Sequence, residues 1–297
     1  AGRAGGSGLV WDQVLVLDAG GLKRESPHVW GRMAAGWDRR HRDLEEWSQP
    51  VPERMLERLA PASGDTILEL AGGTGVVGFA AAALVGSRGR VIVSDFSEAM
   101  VDVATRHAKE LGLENIEVRM LDAERIDLPD AAVDGVLCRW GYMLMVDPAA
   151  AFAETRRVLR RGGLLSCAVF AGPDRNLWAA IPAQVLRERG HMPPSEAAAP
   201  GILALGDSAR LRGLVAGAGF SDPQIEEVPF TWRFRDMNDY WDFLIGAAGA
   251  IAIVLPRPAR DDLQQVRRPA GPPVASSAAP LGFGPPARAP PPAPPHP

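Results

Sequence analysis

One stretch constrains this chain more than any other. Thr66 to Gly78 reads Thr-Ile-Leu-Glu-Leu-Ala-Gly-Gly-Thr-Gly-Val-Val-Gly, an apolar run that closes on an acid and then enters a glycine loop. Ile67, Leu68 and Leu70 suit a parallel strand buried on both faces. Gly72, Gly73 and Gly75 let the backbone turn sharply and approach a ligand with no Cβ in the way. From Val76 through Val85 the chain is Ala-rich and apolar, which predicts a helix directly after the loop. Its free N–H groups and positive end then face whatever sits over the glycines.

Two cofactor classes fit such a loop. Gly73-Thr-Gly75-Val-Val-Gly78 matches the dinucleotide pattern G-x-G-x-x-G, with Asp95 at about the expected distance further on. Glu69 tips the balance, because an acid just before the glycines repels a pyrophosphate but holds the ammonium of an amino acid. That favours S-adenosylmethionine over a nicotinamide dinucleotide.

The rest of the chain builds a sheet around this strand. Arg90-Val-Ile-Val-Ser-Asp95 is a β-branched run after Gly89 that closes on an acid and reads as the second parallel strand. There a carboxylate can accept from both ribose hydroxyls. The competing role for Asp95, a cap for the next helix, can fall to Ser97. Ile116 to Leu121 reads as a third strand ending in Asp122-Ala123-Glu124, and Gly135 to Arg139 as a fourth. Asp147-Pro148 opens a helix, and Leu164 to Phe170 forms the fifth strand. Strands alternating with helices predict an α/β fold: a doubly wound, mainly parallel, Rossmann-like sheet with helices on both faces. Glu69, Asp95, Asp122 and Arg139 then converge on its carboxyl edge.

These motifs resemble class I S-adenosylmethionine-dependent methyltransferases, whose first motif is read here as Glu69-x-Ala71-x-Gly73-x-Gly75. The resemblance spans roughly residues 30 to 255. Leu128, Pro129 and Asp134 match the turn of the ubiquinone and menaquinone methyltransferase branch. Ala71 stands where the family usually has glycine, a minor departure if the backbone angles there are ordinary. The resemblance implies cofactor contacts from Glu69, Gly72, Gly73, Gly75, Asp95, Phe96, Met100, Asp122, Ala123 and Arg139. Phe96 and Met100 would border the adenine, and Asp122 would accept from its amino group. It also implies a helical cover over the cofactor, and an insertion at residues 173–206 placed where relatives carry a substrate lid. Trp37-Asp38 stands where many relatives have an aromatic–Asp pair, but an aromatic stripe at helical spacing reads first as core.

The ends differ from the middle. Residues 1–28 read as a flexible segment, residues 29–256 as the methyltransferase domain and residues 257–297 as a Pro-rich, disordered tail, since 12 of the 27 prolines fall after residue 268. Relatives close the sheet with an antiparallel strand here, and the tail shows no pattern for one. Gln224 to Phe234 alternates as an edge strand, where Pro229 is tolerated.

A net charge of -4 and a pI near 5.8 give no basic field for nucleic acid. The apolar runs are too short to span a bilayer, and the two cysteines lack metal-ligand spacing, so no metal is expected and a cytoplasmic setting is. The implied activity is methyl transfer to an O, N or C nucleophile of a small, apolar acceptor. The alternatives are an NAD-dependent oxidoreductase and a non-catalytic S-adenosylmethionine binder. No catalytic residue is assigned; His41, Tyr142 and His191 are the candidate bases if the acceptor needs one.

Overall fold

The computed structural model describes residues 19–192, 194, 199–221, 223–249, 251, 252 and 276–283. Three helices come first: α1 (Ala19–Arg39), α2 (His41–Ser48) and α3 (Pro50–Leu59). The alternating part follows as β1 (Thr66–Glu69), α4 (Val76–Val85), β2 (Arg90–Asp95), α5 (Glu98–Glu110), β3 (Ile116–Met120), β4 (Val133–Arg139), α6 (Pro148–Val158) and β5 (Leu159–Ala168). Then come α7 (Leu177–Glu188), α8 (Ser208–Gly217), β6 (Gln224–Thr231), α9 (Met237–Ala247) and β7 (Ser276–Phe283).

The seven strands lie in the order β3-β2-β1-β4-β5-β7-β6, with β1 to β5 parallel and the last two antiparallel. From β1 the chain steps outward through α4 and α5, then returns to β4 on the other side of β1 and steps away through α6. Right-handed crossovers running in opposite directions put α4 and α5 on one face and α6 on the other. The order reverses between β1 and β4, so a crevice opens at their carboxyl ends. β1 is covered from both faces, with Ile67, Leu68 and Glu69 buried. Asp134, from the turn that marks the quinone-methyltransferase-like branch, accepts from the Thr66 amide at 2.6 Å and pairs with Arg160. The motif acid thus anchors the start of β1 and β4 rather than a ligand.

Two sequence expectations need correction. Ser276–Phe283 of the Pro-rich tail is a strand, hydrogen-bonded to β6 along its length and to β5 at residues 281–283. This is the closing antiparallel strand that the sequence pattern lacked. Its proline is tolerated because Pro280 lies one residue beyond the ladder with β5, so the missing N–H interrupts no bond on that side. β6 is the edge strand, as Pro229 required. The disorder expected for the rest of the tail, residues 257–275 and 284–297, lies outside the described residues. At the other end, α1 begins at Ala19, not Val29, and runs through Pro27. Packing on α5 and α9 outweighs the weak helix propensity of Gly20, Gly21 and Pro27. The flexibility expected of residues 1–18 also lies outside the described residues.

Candidate active site

The glycine loop sits where the topology reverses. Gly73 has φ +55° and Gly75 φ +91°, left-handed angles that glycine adopts without strain. A Cβ added at Gly73 would meet no atom within 4 Å, because that position opens into the main pocket, which Gly72, Gly73 and Thr74 line. Ala71 also has φ +50°. The departure from the family's glycine is therefore not minor: an L-residue here carries strain of about 1 kcal/mol.

Both motif acids are buried and held by backbone donors. Glu69 Oε2 accepts from the Gly78 amide at 2.9 Å, inside the first turn of α4. Burial pushes its carboxyl up to about 7, against the pull of Arg139 and the Gly78 amide. Asp95 Oδ2 accepts from the Gly73 amide at 3.0 Å and Oδ1 from the Ser97 amide at 3.0 Å; burial raises this carboxyl to about 6, against those backbone bonds. Asp95 thus also serves the start of α5, a duty the sequence reading gave to Ser97, whose own side chain makes no capping bond.

At one end of the pocket, Phe96, Met100, Leu121, Asp122 and Ala123 line the wall. Asp122 pairs with Lys23 of α1 at 2.9 Å, and Lys23 also reaches Glu124 at 2.6 Å. Sequence reasoning missed Lys23, because it fell in the segment read as flexible. At the other end, Arg139 lies partly buried near Glu69, donates to Ser48 Oγ at 3.0 Å and stacks over the Trp140 ring at 4.5 Å. Burial lowers its pKa, while the Glu69 charge opposes that shift. Of the ten expected cofactor contacts, nine line this pocket and Gly75 does not. A side chain at Gly75 would strike Phe79 instead, so this glycine serves the turn.

The pocket continues into an aromatic lobe that no local spacing announced. Trp140 and Phe170 stack with ring centroids 4.8 Å apart; Trp178 meets Phe170 at 5.5 Å, and Trp178, Trp232 and Phe243 pack on one another at 5.3–5.6 Å. These side chains come from the ends of β4, β5 and β6 and from α7 and α9, so only the fold brings them together. Trp140 has φ +60°, rare for a bulky side chain and typical of functional strain. The indole N–H groups of Trp37, Trp140 and Trp232 are buried without a hydrogen-bond partner, and all three rings line the pocket. Trp37 is therefore not plain core.

The candidate bases are placed elsewhere. His41, Tyr142 and His191 are absent from the pocket wall. Tyr142 is stacked on Phe152, bonds Thr155 Oγ1 at 2.6 Å, and is pushed by burial well above the usual phenol range. Asp38, beside Trp37, pairs with Arg106 at 2.6 Å and with His107 at 2.9 Å. Cys138 and Cys167 are buried free thiols facing each other across β4 and β5. Among the described residues no helix is long and apolar enough to cross a membrane.

An S-adenosylmethionine cofactor fits these residues. The backbone at Gly73 opens onto free space that a ligand can fill, and the neighbouring opposite charges Glu69 and Arg139 suit a zwitterionic amino-acid group. Asp95 retains acceptor capacity beyond its two backbone bonds.

Residues 67–163 match the methyltransferase domain family. The chain is 36% identical over 122 residues to the ubiquinone/menaquinone biosynthesis C-methyltransferase UbiE of Francisella philomiragia, covering 41% of this chain and 49% of that protein. It is 31% identical over 121 residues to the aklanonic acid methyltransferase DauC of a Streptomyces species, covering 41% of this chain and 55% of that protein. The chain thus spans about half the length of the curated relatives it matches. Among solved structures it resembles the YcgJ protein of Bacillus subtilis, with TM-score 0.53 and 18% identity over 78% of this chain and 95% of that one. It also resembles the cyclase SpnF, with TM-score 0.52 and 20% identity over 80% of each chain. Residues 67–163 are thus a methyltransferase domain, similar over about 120 residues to the ubiquinone/menaquinone C-methyltransferases, and S-adenosylmethionine is the cofactor that its acid, glycine loop and pocket fit.

Proposed function

We propose that this chain transfers the methyl group of S-adenosylmethionine to an O, N or C nucleophile of a small, apolar acceptor seated in the aromatic lobe. The observation that carries this reading is continuity: the glycine cradle and the lobe are one pocket, meeting at Glu69, Arg139 and Trp140. The cofactor supplies an activated methyl group on a sulfonium, and the protein's work is alignment and exclusion of water.

In this reading Asp95 accepts from the ribose hydroxyls, while Phe96, Met100, Asp122 and Ala123 surround the adenine. Glu69 faces the ammonium, Arg139 supplies the opposite charge, and the Gly72 and Gly73 backbone forms the floor. Trp37, Trp140 and Trp232 offer indole N–H groups to an oxygen of the acceptor, and the ring faces sandwich its flat part. The segment 173–206, carrying Trp178 and Ile202, acts as the lid. The buried free thiols Cys138 and Cys167 fit a reducing, cytoplasmic setting, and the acidic balance fits a partner other than nucleic acid.

A missing closing strand would have favoured the non-catalytic alternative, and Ser276–Phe283 fills that place. The test is turnover of S-adenosylmethionine against a panel of phenols, quinols and amines, read as released S-adenosylhomocysteine. Release that depends on an acceptor is expected, and Trp232→Ala should raise KM for it. Tight S-adenosylhomocysteine binding with no turnover on any of the panel would make the chain a binder.

A further inference from the structure

A second cluster lies behind the glycine loop, outside the pocket. Asp38 lies in the last turn of α1, His41 opens α2 and His107 sits on α5, and one possible ligand atom from each lies within 4.8 Å of the others. The two imidazole rings are 4.8 Å apart between centroids. His41 Nδ1 is 2.7 Å from the Asp38 carbonyl oxygen, and His107 Nδ1 is 3.4 Å from the Thr74 carbonyl oxygen. Carbonyl oxygens only accept, so His41 Nδ1 carries the hydrogen and leaves its Nε2 lone pair free to ligate, while His107 Nε2, which donates to the Asp38 carboxylate, ligates once it gives up that hydrogen. An Nδ1–H bond to a carbonyl orients metal-binding histidines generally. Asp38 Oδ1 is 2.9 Å from His107 Nε2, and Arg106 holds Oδ2 at 2.6 Å, fixing the carboxylate from its far side.

From this geometry we infer that Asp38, His41 and His107 form a binding site for a divalent transition-metal ion, of which zinc is the type. Two imidazoles with one carboxylate suit such an ion, whereas magnesium and calcium prefer oxygen ligands. Ligand atoms at about 2.1 Å from a tetrahedral ion stand about 3.4 Å apart, so closure needs side-chain movements of about an ångström. The ion would take the place of the proton shared by His107 Nε2 and Asp38, releasing it to solvent, and a water would complete the coordination. Its ligands join the helical cover (Asp38, His41) to α5, and His107 touches the glycine loop through Thr74. A bound ion would therefore pin the cover against the cofactor-binding body.

The test uses the full chain, stripped with a chelator and titrated with zinc by calorimetry, with thermal melts alongside. One ion per chain and a zinc-dependent rise in melting temperature are expected, with no response to magnesium. His41→Gln, at a half-buried position, should weaken zinc binding at least tenfold and abolish the rise, whereas His28→Gln, exposed on α1, should change neither. His107→Gln should act like His41→Gln; should it fail to fold, His41→Gln decides alone. No saturable zinc binding, or binding that persists unchanged in His41→Gln, overturns the assignment.

Discussion

The Gly73 amide donates to Asp95 Oδ2 at 3.0 Å, so the glycine loop and the acid that ends β2 are one unit. Each holds the other where a ribose would lie. Asp95→Ala should therefore weaken S-adenosylhomocysteine binding by about 1–3 kcal/mol, the usual worth of hydrogen bonds to a charged group in a closed site. Calorimetry checks it, and unchanged affinity would remove Asp95 from the ribose.

Ala71 lies beside this unit at φ +50°. Ala71→Gly should raise stability by about 0.5–1 kcal/mol, because relief of the left-handed strain exceeds the entropy that glycine adds to the unfolded chain. Urea melts would show the midpoint moving up at constant slope. A fall in the midpoint would mean that the methyl group's packing outweighs the strain.

The pH behaviour follows from Glu69. Its carboxyl is raised by burial from 4.5 to about 7, so between those values the folded chain holds a proton that the unfolded chain has released. Stability without cofactor then falls as pH rises through that window. The comparison with Glu69→Gln isolates this contribution from the carboxyls of Glu226, Asp239 and Asp38, which are lowered. The wild type should lose about 2–3 kcal/mol relative to Glu69→Gln between pH 4.5 and 7.5. Cofactor affinity should move oppositely, rising with pH as Glu69 ionises to face the ammonium. Parallel pH profiles for the two proteins would contradict both statements.

A chain ending at Arg268 lacks β7, which pairs with β6 from Ser276 to Phe283 and with β5 at residues 281–283. Its removal leaves β5 with an open edge and β6 with no partner in the sheet. The melting temperature should fall by more than about 5 °C, as a loss of 2 kcal/mol or more would cause in a domain of this size. An unchanged melting temperature would show that β7 contributes nothing to stability.

The sequence was legible where structure and ligand chemistry act locally. The strand, acid, glycines and helix from Thr66 to Val85 lie in one continuous stretch, and α4 and β2 have the bounds expected of them. It was illegible where partners are distant. Trp140, Phe170, Trp178, Trp232 and Phe243 lie on five separate segments, and no periodicity links them. Lys23 gains meaning only when α1 lies over Asp122. Ser276–Phe283 has no strand pattern because pairing on both sides, rather than its own side-chain alternation, makes it a strand. Ala71 looked harmless because a sequence does not show the sign of φ.

The most direct test of the central claim is calorimetric titration with S-adenosylhomocysteine and with NAD, on the wild type and on Gly73→Val. The branched side chain would enter the open space above the loop and strain a backbone at φ +55°. One S-adenosylhomocysteine site per wild-type chain, no NAD binding, and loss of the site in a folded Gly73→Val are predicted. Binding of NAD in place of S-adenosylhomocysteine, or full affinity in Gly73→Val, would contradict the assignment of this pocket.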